Sequence, residues 1–588
     1  MAPTATWSLP EPIPEAAARA AARSAGVGHP LVASVLLRRG LAGEDLLAFL
    51  RPDPARLLDP SGLRNLDAAV RVLDEALRTG RTVGIAGDYD VDGTTATALL
   101  ASYLRAKGGR VATHIPGRNE GYGLSRTTID ALAAAGATVL VTVDCGTSSR
   151  AEADYARGLG LEVVVTDHHL PVAGRETAGI VVNPHLAGDG YANRHLAGVG
   201  VAFKLAAAHH GSQPSANTDL LALGTIADVM PLEGENRVLV WQGLARLSHT
   251  RRPGLDALLR LAVRPKPCPH GAASCALCAD ADACLAAHGG VPHCHAVTSE
   301  EVAFYVAPRI NAVSRMNLDP NLVVELLTTA DPARGAEIAA LLDEANRERR
   351  ELTNRLLDEA VAAVDPADPV IVHQADLFKG VAGLVAGRLA TVYGRPAIVV
   401  DLDGAGSARS VEGVPLLDTL QRHFPALATA AGHQMAMGIS HVTDVEALRA
   451  AVRAHPWPAG LGARVDVDAV VDLADLDLGL VRALEWLEPT GAGNRAPVFA
   501  AGGLTVASVK RSRDGRHAFL GVTDGRTSRR AVWFGGGREA LAQGDRIDLA
   551  CRPVASADPA GGGTRVEVQV VALRPAADAA LPRTLLAA

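Results

Sequence analysis

Thr82-Val-Gly-Ile-Ala86-Gly-Asp88-Tyr-Asp90-Val-Asp92-Gly-Thr-Thr95 reads as a short apolar strand that ends in three alternating carboxylates and then opens a helix. The strand, the glycine turn and a helical stretch over Thr95–Ala106 form the first half of a βαβ crossover. The pattern repeats downstream. Val111–Ile115, Thr138–Val143, Glu162–Thr166 and Ile180–Val182 are strand-like, with helices near Thr127–Ala135 and over Arg150–Gly158. Such alternation predicts an α/β fold built on a mostly parallel sheet, in which ligands sit beyond the carboxyl ends of the strands.

Those ends carry the chemistry. Asp88, Asp90 and Asp92 follow the first strand, Val143-Asp144-Cys145-Gly146 the third and Thr166-Asp167-His168-His169 the fourth. Asp228, in Gly224-Thr-Ile-Ala-Asp228-Val-Met-Pro-Leu232, joins from farther along. Carboxylate oxygen and imidazole suit hard cations such as Mn²⁺ and Mg²⁺. A pair of such ions clamps the attacking and leaving oxygens of an in-line phosphoryl displacement. One Asp at a strand end is equally well a cap or turn residue; four ordered motifs predict a metal-dependent enzyme.

Composition narrows the class. A chain of 588 residues divides into about three or four domains. Apolar residues make up 48 % but aromatics only 3 %, so cores rest on Ala, Val and Leu and any base-stacking surface uses few rings. A net charge of −7 excludes bulk electrostatic coating of nucleic acid but not a local channel. No apolar run approaches the roughly 18 residues of a membrane span. The opening Met1-Ala-Pro-Thr-Ala-Thr-Trp7 lacks a signal-peptide pattern. The expectation is a soluble, cytoplasmic protein without a membrane partner.

The remaining chain reads in segments. Residues 1–65 are expected to form an N-terminal helical segment and 66–260 the catalytic domain. Residues 261–298 form a Cys/His-rich insertion, and 299–364 the end of the catalytic domain with a connecting helix. That helix starts at Asp331-Pro332, a cap followed by proline at the first helical position, and has a polar waist at Asn346–Glu351. Residues 365–460 read as a second α/β domain, with strands Val370–His373 and Ala397–Val400 around a helix over Val381–Thr391. Residues 461–576 read as a small β-barrel, with strands near Leu504–Val509, Ala518–Val522, Ala531–Phe534, Arg546–Cys551 and Val566–Val571. Residues 577–588 are a tail.

In the insertion, Cys268, Cys275, Cys278 and Cys284 are spaced to ligate a structural Zn²⁺ or a 4Fe–4S cluster. Gly198-Val-Gly200 lacks a dinucleotide fingerprint and reads as helix packing. No Gly-x4-Gly-Lys-Ser/Thr loop occurs, so no ATP-driven motor is expected.

Taken in order, Asp88-Tyr-Asp90-Val-Asp92-Gly, Val143-Asp144-Cys-Gly, Asp167-His168-His169 and Asp228 resemble the DHH phosphoesterase superfamily. Ile115-Pro-Gly-Arg118, Pro308-Arg309-Ile-Asn311-Ala-Val-Ser-Arg315, Gly406-Ser407-Ala-Arg409 and Ala431-Gly432-His433 narrow the resemblance to the RecJ single-strand-specific exonucleases. The resemblance implies a parallel-sheet DHH domain, a second α/β domain (DHHA1) joined to it by a long helix, and a C-terminal OB-type barrel. It implies two Mn²⁺ or Mg²⁺ held by Asp88, Asp90, Asp92, Asp144, His168 and Asp228, with Asp144 as the bridge and His169 as ligand or proton donor.

Arg118, Arg309, Asn311, Arg315, Ser407, Arg409, Gly432 and His433 would grip DNA phosphates. In the barrel, Lys510, Arg511, Arg513 and Arg516 would meet phosphates, and Phe519, Trp533 or Phe534 would stack; of the adjacent Trp533 and Phe534 only one can face the groove. Ala431 replaces a family glycine, which would strain a turn that needed positive φ.

The implied activity is 5′→3′ hydrolysis of single-stranded DNA to 5′-mononucleotides in repair and recombination. The chain would act as a monomer, with a single-strand-binding protein and a helicase as further partners. The alternatives are a DHH phosphodiesterase acting on short oligonucleotides or cyclic dinucleotides, and a non-catalytic single-strand-binding relative.

Overall fold

The computed structural model describes residues 6–121, 123–263, 297–458, 461–557, 564–576 and 581–586. They fall into two compact units: Arg51–Arg350 with Glu488–Arg495, and Met1–Leu50 with Glu351–Leu487 and Ala496–Ala588.

In the first unit, β1 (Thr82–Ala86), β2 (Arg110–His114), β3 (Ala137–Val143), β4 (Glu162–Thr166) and β5 (Ile180–Val182) form one sheet in the order 2-1-3-4-5. Every pairing is parallel. The order reverses between β1 and β3, the point at which an open parallel sheet leaves a crevice for ligands. β3 is Ala-Thr-Val-Leu-Val-Thr-Val, buried at six of its seven positions, as a central strand covered on both faces requires.

Between β1 and β2 runs α1 (Val91–Ala106), which starts four residues earlier than the apolar pattern suggested because Asp90 caps it, its Oδ1 accepting from the Gly93 amide at 3.0 Å. α1 is apolar nearly all round and packs against α2 (Gly198–His210) and α3 (Thr218–Ala227), so it lies inside the core with Leu99, Leu100, Val141 and Phe203. α4 (Gly234–Ser248) lies against α3.

Glu488–Arg495 belongs to this unit. Ser299 Oγ donates to Glu488 Oε2 at 2.8 Å, and the Leu232 amide donates to Ala492 O at 2.8 Å. Gly491-Ala-Gly493-Asn494, inside the 461–576 span read as the barrel, is thus docked four residues from Asp228. Long α5 (Pro332–Ala363) follows, and the division between the units falls at Arg350, inside its polar waist.

In the second unit, β6 (Ile371–Gln374), α6 (Lys379–Tyr393), β7 (Ala397–Val400), β8 (Gly406–Arg409), β9 (Thr429–Gly432) and β10 (Ala436–Ser440) form a mixed α/β layer. The strand order is 9-10-8-7-6, parallel only between β6 and β7. Five further strands close a barrel: β11 (Phe499–Arg511), β12 (Ala518–Thr523), β13 (Ser528–Trp533), β14 (Arg546–Ala557) and β15 (Thr564–Pro575). β11 pairs with both β12 and β14, and β13 with β15, which leaves no open edge among these strands.

The helices Glu15–Ala25 and Pro30–Arg38 bury Ala25, Leu31, Val32 and Leu36 in the barrel's own core with Phe499, Leu520 and Leu549. The stretch read as one segment to residue 65 therefore divides at Leu50, where Pro52 and Pro54 interrupt the helices. Among the described residues no helix is long and apolar enough to cross a membrane.

Candidate metal centre

The carboxyl edge of the parallel sheet gathers the motif residues. Asp88 and Asp90 sit after β1, Asp92 in the first turn of α1, Asp144 directly after β3, His168 and His169 after β4, and Asp228 at the end of α3. Three overlapping donor sets could each hold a cation: Asp88 with Asp90 and Asp144, Asp144 with His168 and His169, and Asp92 with His168 and Asp228. Within each set the donor atoms lie within 4.8 Å of one another. All seven residues read as catalytic or metal-binding come together here, and Asp144 and His168 each belong to two sets. His168 Nε2 lies 3.1 Å from Asp144 Oδ1, 3.6 Å from Asp228 Oδ2 and 3.7 Å from Asp92 Oδ2.

The backbone fixes these side chains. Asp144 occupies the left-handed region at φ 61°, which a short polar side chain tolerates, and its amide donates to Thr166 O at 3.0 Å. Both oxygens of Asp92 accept amides from the start of α2, Gly198 N–H at 2.6 Å and Val199 N–H at 2.8 Å. A carboxylate at a helix N-terminus is favourably placed. A Cβ on Gly198 would fall 2.5 Å from Asp144 Cβ, and one on Gly224 2.9 Å from Asp92 Oδ1, so two glycines let α2 and α3 close on the carboxylates. Gly198-Val-Gly200 thus serves helix packing, as its sequence suggests, and at Gly198 the partner packed against is the Asp144 carboxylate.

Asp167 is a further residue that the sequence quoted but gave no role. Its Oδ1 lies 2.8 Å from His169 Nδ1 and accepts the His168 and His169 amides, while Oδ2 accepts Thr147 N–H.

Electrostatics fit a cation site. Burial, then the neighbouring carboxylates, push Asp88 up to about 8, Asp228 up to about 9 and Asp144 well above the ordinary carboxylate range. Burial, then the charge of His169, lowers His168 to about 4. Burial also opposes protonation of His169, but the hydrogen bond and charge of Asp167 outweigh it and raise His169 to about 9. Asp88 Oδ1, His168 Nε2 and Asp228 Oδ2 are buried and make no hydrogen bond. Buried polar atoms are normally paired. Aligned carboxylate and imidazole donors in this state match a hard divalent ion.

The other expected residues divide between the units. In the first unit, the Arg118 guanidinium lies 5.0 Å from the Tyr89 ring centre. Burial and Asp88 raise the Tyr89 pKa while Arg118 and Arg315 pull it down, so both arginines sit near the first motif. Arg309 is committed elsewhere: Nε to Asp343 Oδ1 at 2.8 Å, Nη1 to Tyr305 O at 2.6 Å and Nη2 to Leu261 O at 3.3 Å. Asn311 is half-buried on the same helix.

In the second unit, Ser407 and Arg409 project from one face of β8 over α6, where a Cβ on Gly383 would fall 2.7 Å from Arg409 Nη2 and 3.3 Å from Ser407 Oγ. Gly432 has φ 133° and opens the exposed turn with His433, and Ser410 N–H donates to Met435 O, so this turn borders the end of β8. Positive φ falls on Gly432 and not on Ala431, which lies in β9 opposite Gly438, so the alanine causes no strain.

In the barrel, Trp533 packs on the core while Phe534 is exposed and meets His517 edge-on. The Arg530 guanidinium lies 5.4 Å from the centre of the Phe519 ring. Arg516 is paired with Asp358, and Arg511 bonds the backbone at Gly537, whereas Lys510 and Arg513 are exposed. Cys268, Cys275, Cys278 and Cys284 lie outside the described residues.

A five-stranded parallel sheet with carboxylates and imidazoles gathered at its switch point is the architecture of the DHH class, and the model of the DHH family, N-terminal domain, matches residues 82–225. The model of the RecJ OB domain matches residues 467–558. The single-stranded-DNA-specific exonuclease RecJ of Escherichia coli (strain K12) is 32% identical over 476 residues, covering 74% of this chain and 78% of the relative. The RecJ of Bacillus subtilis (strain 168) is 32% identical over 542 residues, 88% of this chain. The match spans 65% of that relative's length, just under two thirds. The crystal structure of RecJ in complex with Mn²⁺ from Thermus thermophilus superposes with a TM-score of 0.78 at 30% identity, covering 100% of this chain and 81% of that one. The chain belongs to the RecJ family.

Proposed function

We propose that this chain is a metal-dependent exonuclease that degrades single-stranded DNA from the 5′ end, hydrolysing phosphodiester bonds to release 5′-mononucleotides in DNA repair and recombination. The observation that carries this reading is Asp144, whose carboxylate belongs both to the set with Asp88 and Asp90 and to the set with His168 and His169. Asp88, Asp90, Asp92, Asp144, His168 and Asp228 would hold two divalent cations, Mn²⁺ or Mg²⁺, with Asp144 bridging. Bound there, the cations supply Lewis acidity toward a phosphoryl oxygen and make a water nucleophilic at neutral pH.

The chain's own residues do the rest. Asp167 accepts from His169 Nδ1 and orients the ring, so that Nε2 would serve either as a ligand of the centre or as the atom from which a proton passes to the leaving oxygen. Arg118 and Arg315, beside the first motif, grip phosphates of the strand, and Arg409, Ser407, Gly432 and His433 grip its 5′ end. Arg309 and Asn311 support this surface; Arg309 does so by bracing its own helix against Asp343. Phe534 and Phe519 offer stacking faces in the barrel, with Lys510 and Arg513 for phosphates.

The chain would work in the cytoplasm as a monomer, handed its substrate by a single-strand-binding protein and a helicase. The cysteines of the insertion would take a structural Zn²⁺ or 4Fe–4S cluster, which metal analysis of protein purified under reducing conditions tests. The decisive assay uses end-labelled single- and double-stranded DNA with each end blocked in turn, with manganese and with EDTA. Chelator-sensitive loss of 5′-terminal nucleotides from single strands alone is expected; cleavage from the 3′ end, or cleavage that EDTA does not stop, refutes the reading.

A further inference from the structure

Directly after Asp228 the backbone takes a conformation unusual for the residue that adopts it. α3 ends in a Schellman turn: Val229 N–H donates to Ile226 O at 3.1 Å and Met230 N–H donates to Thr225 O at 3.3 Å. The residue inside that turn must be left-handed, which is why glycine usually occupies it. Here it is Val229, at φ 58°. Among the described residues the other non-glycine positions with positive φ are Asn65, Asp144, Asn317 and His441, types that tolerate the region; Val229 is the β-branched one, for which it is strained.

Packing does not explain the choice. Val229 is 68% exposed, while its neighbour Met230 is the side chain that packs on the core. An aliphatic group kept in a strained conformation and held in solvent beside a site residue points to use by a ligand. On the other flank of the centre, Leu170 follows His169 directly and is 65% exposed.

We propose that Val229 is a substrate-contacting residue: its isopropyl group forms an apolar wall for the sugar of the nucleotide whose phosphate meets the carboxylate centre. This rests on the exonuclease reading above. Adjacent Cα atoms are about 3.8 Å apart, so a side chain following Asp228 falls within one nucleotide of the group that Asp228 serves. A sugar presents the same apolar C–H face whatever its base, which suits an enzyme that must accept every sequence.

The test uses the full chain carrying Val229→Gly, Val229→Asn or Val229→Ile. Melting temperature, Mn²⁺ affinity by calorimetry and steady-state cleavage of a single-stranded oligodeoxynucleotide are measured for each. Asn relieves the backbone, so V229N melts no lower than wild type. With Gly or Asn the KM for the strand rises about tenfold while kcat stays within about twofold and Mn²⁺ affinity is unchanged. V229I keeps the wild-type KM.

An unaltered KM in both V229G and V229N overturns the assignment. So does a loss of kcat or Mn²⁺ affinity at constant KM, which would make Val229 a support for Asp228, and so does a lower melting temperature for V229N, which would make it a packing residue. A wild-type chain without chelator-sensitive cleavage would sink the exonuclease reading first, and this assignment with it.

Discussion

Two of the places where the parallel-sheet unit buries charge are finished differently. Lys204 on α2 meets Glu235 on α4 at 2.6 Å, both side chains almost inaccessible, and Leu58 O and the Tyr191 hydroxyl complete the group. That pair is self-sufficient: opposite charges neutralise each other and hydrogen bonds use the remaining valences. At the sheet edge Asp88, Asp92, Asp144 and Asp228 crowd together, and burial with mutual repulsion drives their pKa values up. The same polypeptide thus seals one buried charge internally and leaves another to be completed from solution. Stability should be independent of metal at the first place and tied to it at the second.

The hardest blow to that contrast comes from Asp144. Because it lies at φ 61°, Asn is a better probe than Ala, which would add backbone strain. Asp144→Asn should reduce cleavage by about a thousandfold or more and leave single-strand binding intact. With one crowded buried carboxyl replaced by an amide that needs no proton to stay neutral, the metal-free variant should also melt higher than metal-free wild type at pH 8. Cleavage and binding lost in equal measure would deny Asp144 a catalytic part.

Lys204→Met strands the Glu235 carboxylate and should cost about 3–5 kcal/mol of folding free energy. In urea titrations the loss should be the same with Mn²⁺ and with EDTA, and Lys204→Met/Glu235→Leu should recover most of it. A loss that manganese repairs would erase the distinction between the two sites.

Without metal, pH should act on the carboxylate centre in a defined direction. Asp88, at about 8, and Asp228, at about 9, bind protons in the folded chain that the unfolded chain has released, and His169, at about 9, adds to this above its ordinary pKa. Stability falls with pH wherever the folded state holds more protons. Between about pH 6.5, the ordinary histidine value below which the depressed His168 works oppositely, and about pH 8.5, the melting temperature in EDTA should drop by a few degrees. Saturating Mn²⁺ should flatten the curve; a flat curve in EDTA would mean that the cluster imposes no cost.

The smallest effect concerns the second unit. Arg409→Ala should raise the KM for a 5′-phosphorylated strand about tenfold more than for a 5′-hydroxyl one. Equal effects on the two strands would remove Arg409 from the end-binding pocket.

Where local pattern decides, the sequence was readable. Arg150–Gly158, Glu162–Thr166 and Ile180–Val182 occupy the predicted spans because apolar period and length are properties of neighbouring residues. Most of the metal-binding candidates were legible because βαβ connectivity carries strand-end residues to one edge; Asp228, at the end of α3, is not a strand-end residue. Features that depend on distant partners were hidden. The two amides that hold Asp92 come from a helix more than a hundred residues away. Arg309 looks like a phosphate ligand until Asp343, a helix away, is seen to occupy it. β11 runs from Phe499, well before the apparent strand at Leu504, because a bulge between Ala501 and Leu504 breaks the alternation without breaking the strand.

The amide cradle under Asp92 has a consequence for ion choice. A carboxylate gripped through both oxygens by fixed N–H groups cannot swing to offer one contact to a small ion and two to a large one. Rigid oxygen donors favour compact six-coordinate ions, whereas Ca²⁺ asks for longer distances and more ligands. Calcium bound at this edge should therefore sit in distorted geometry, able to hold the strand but not to cut it.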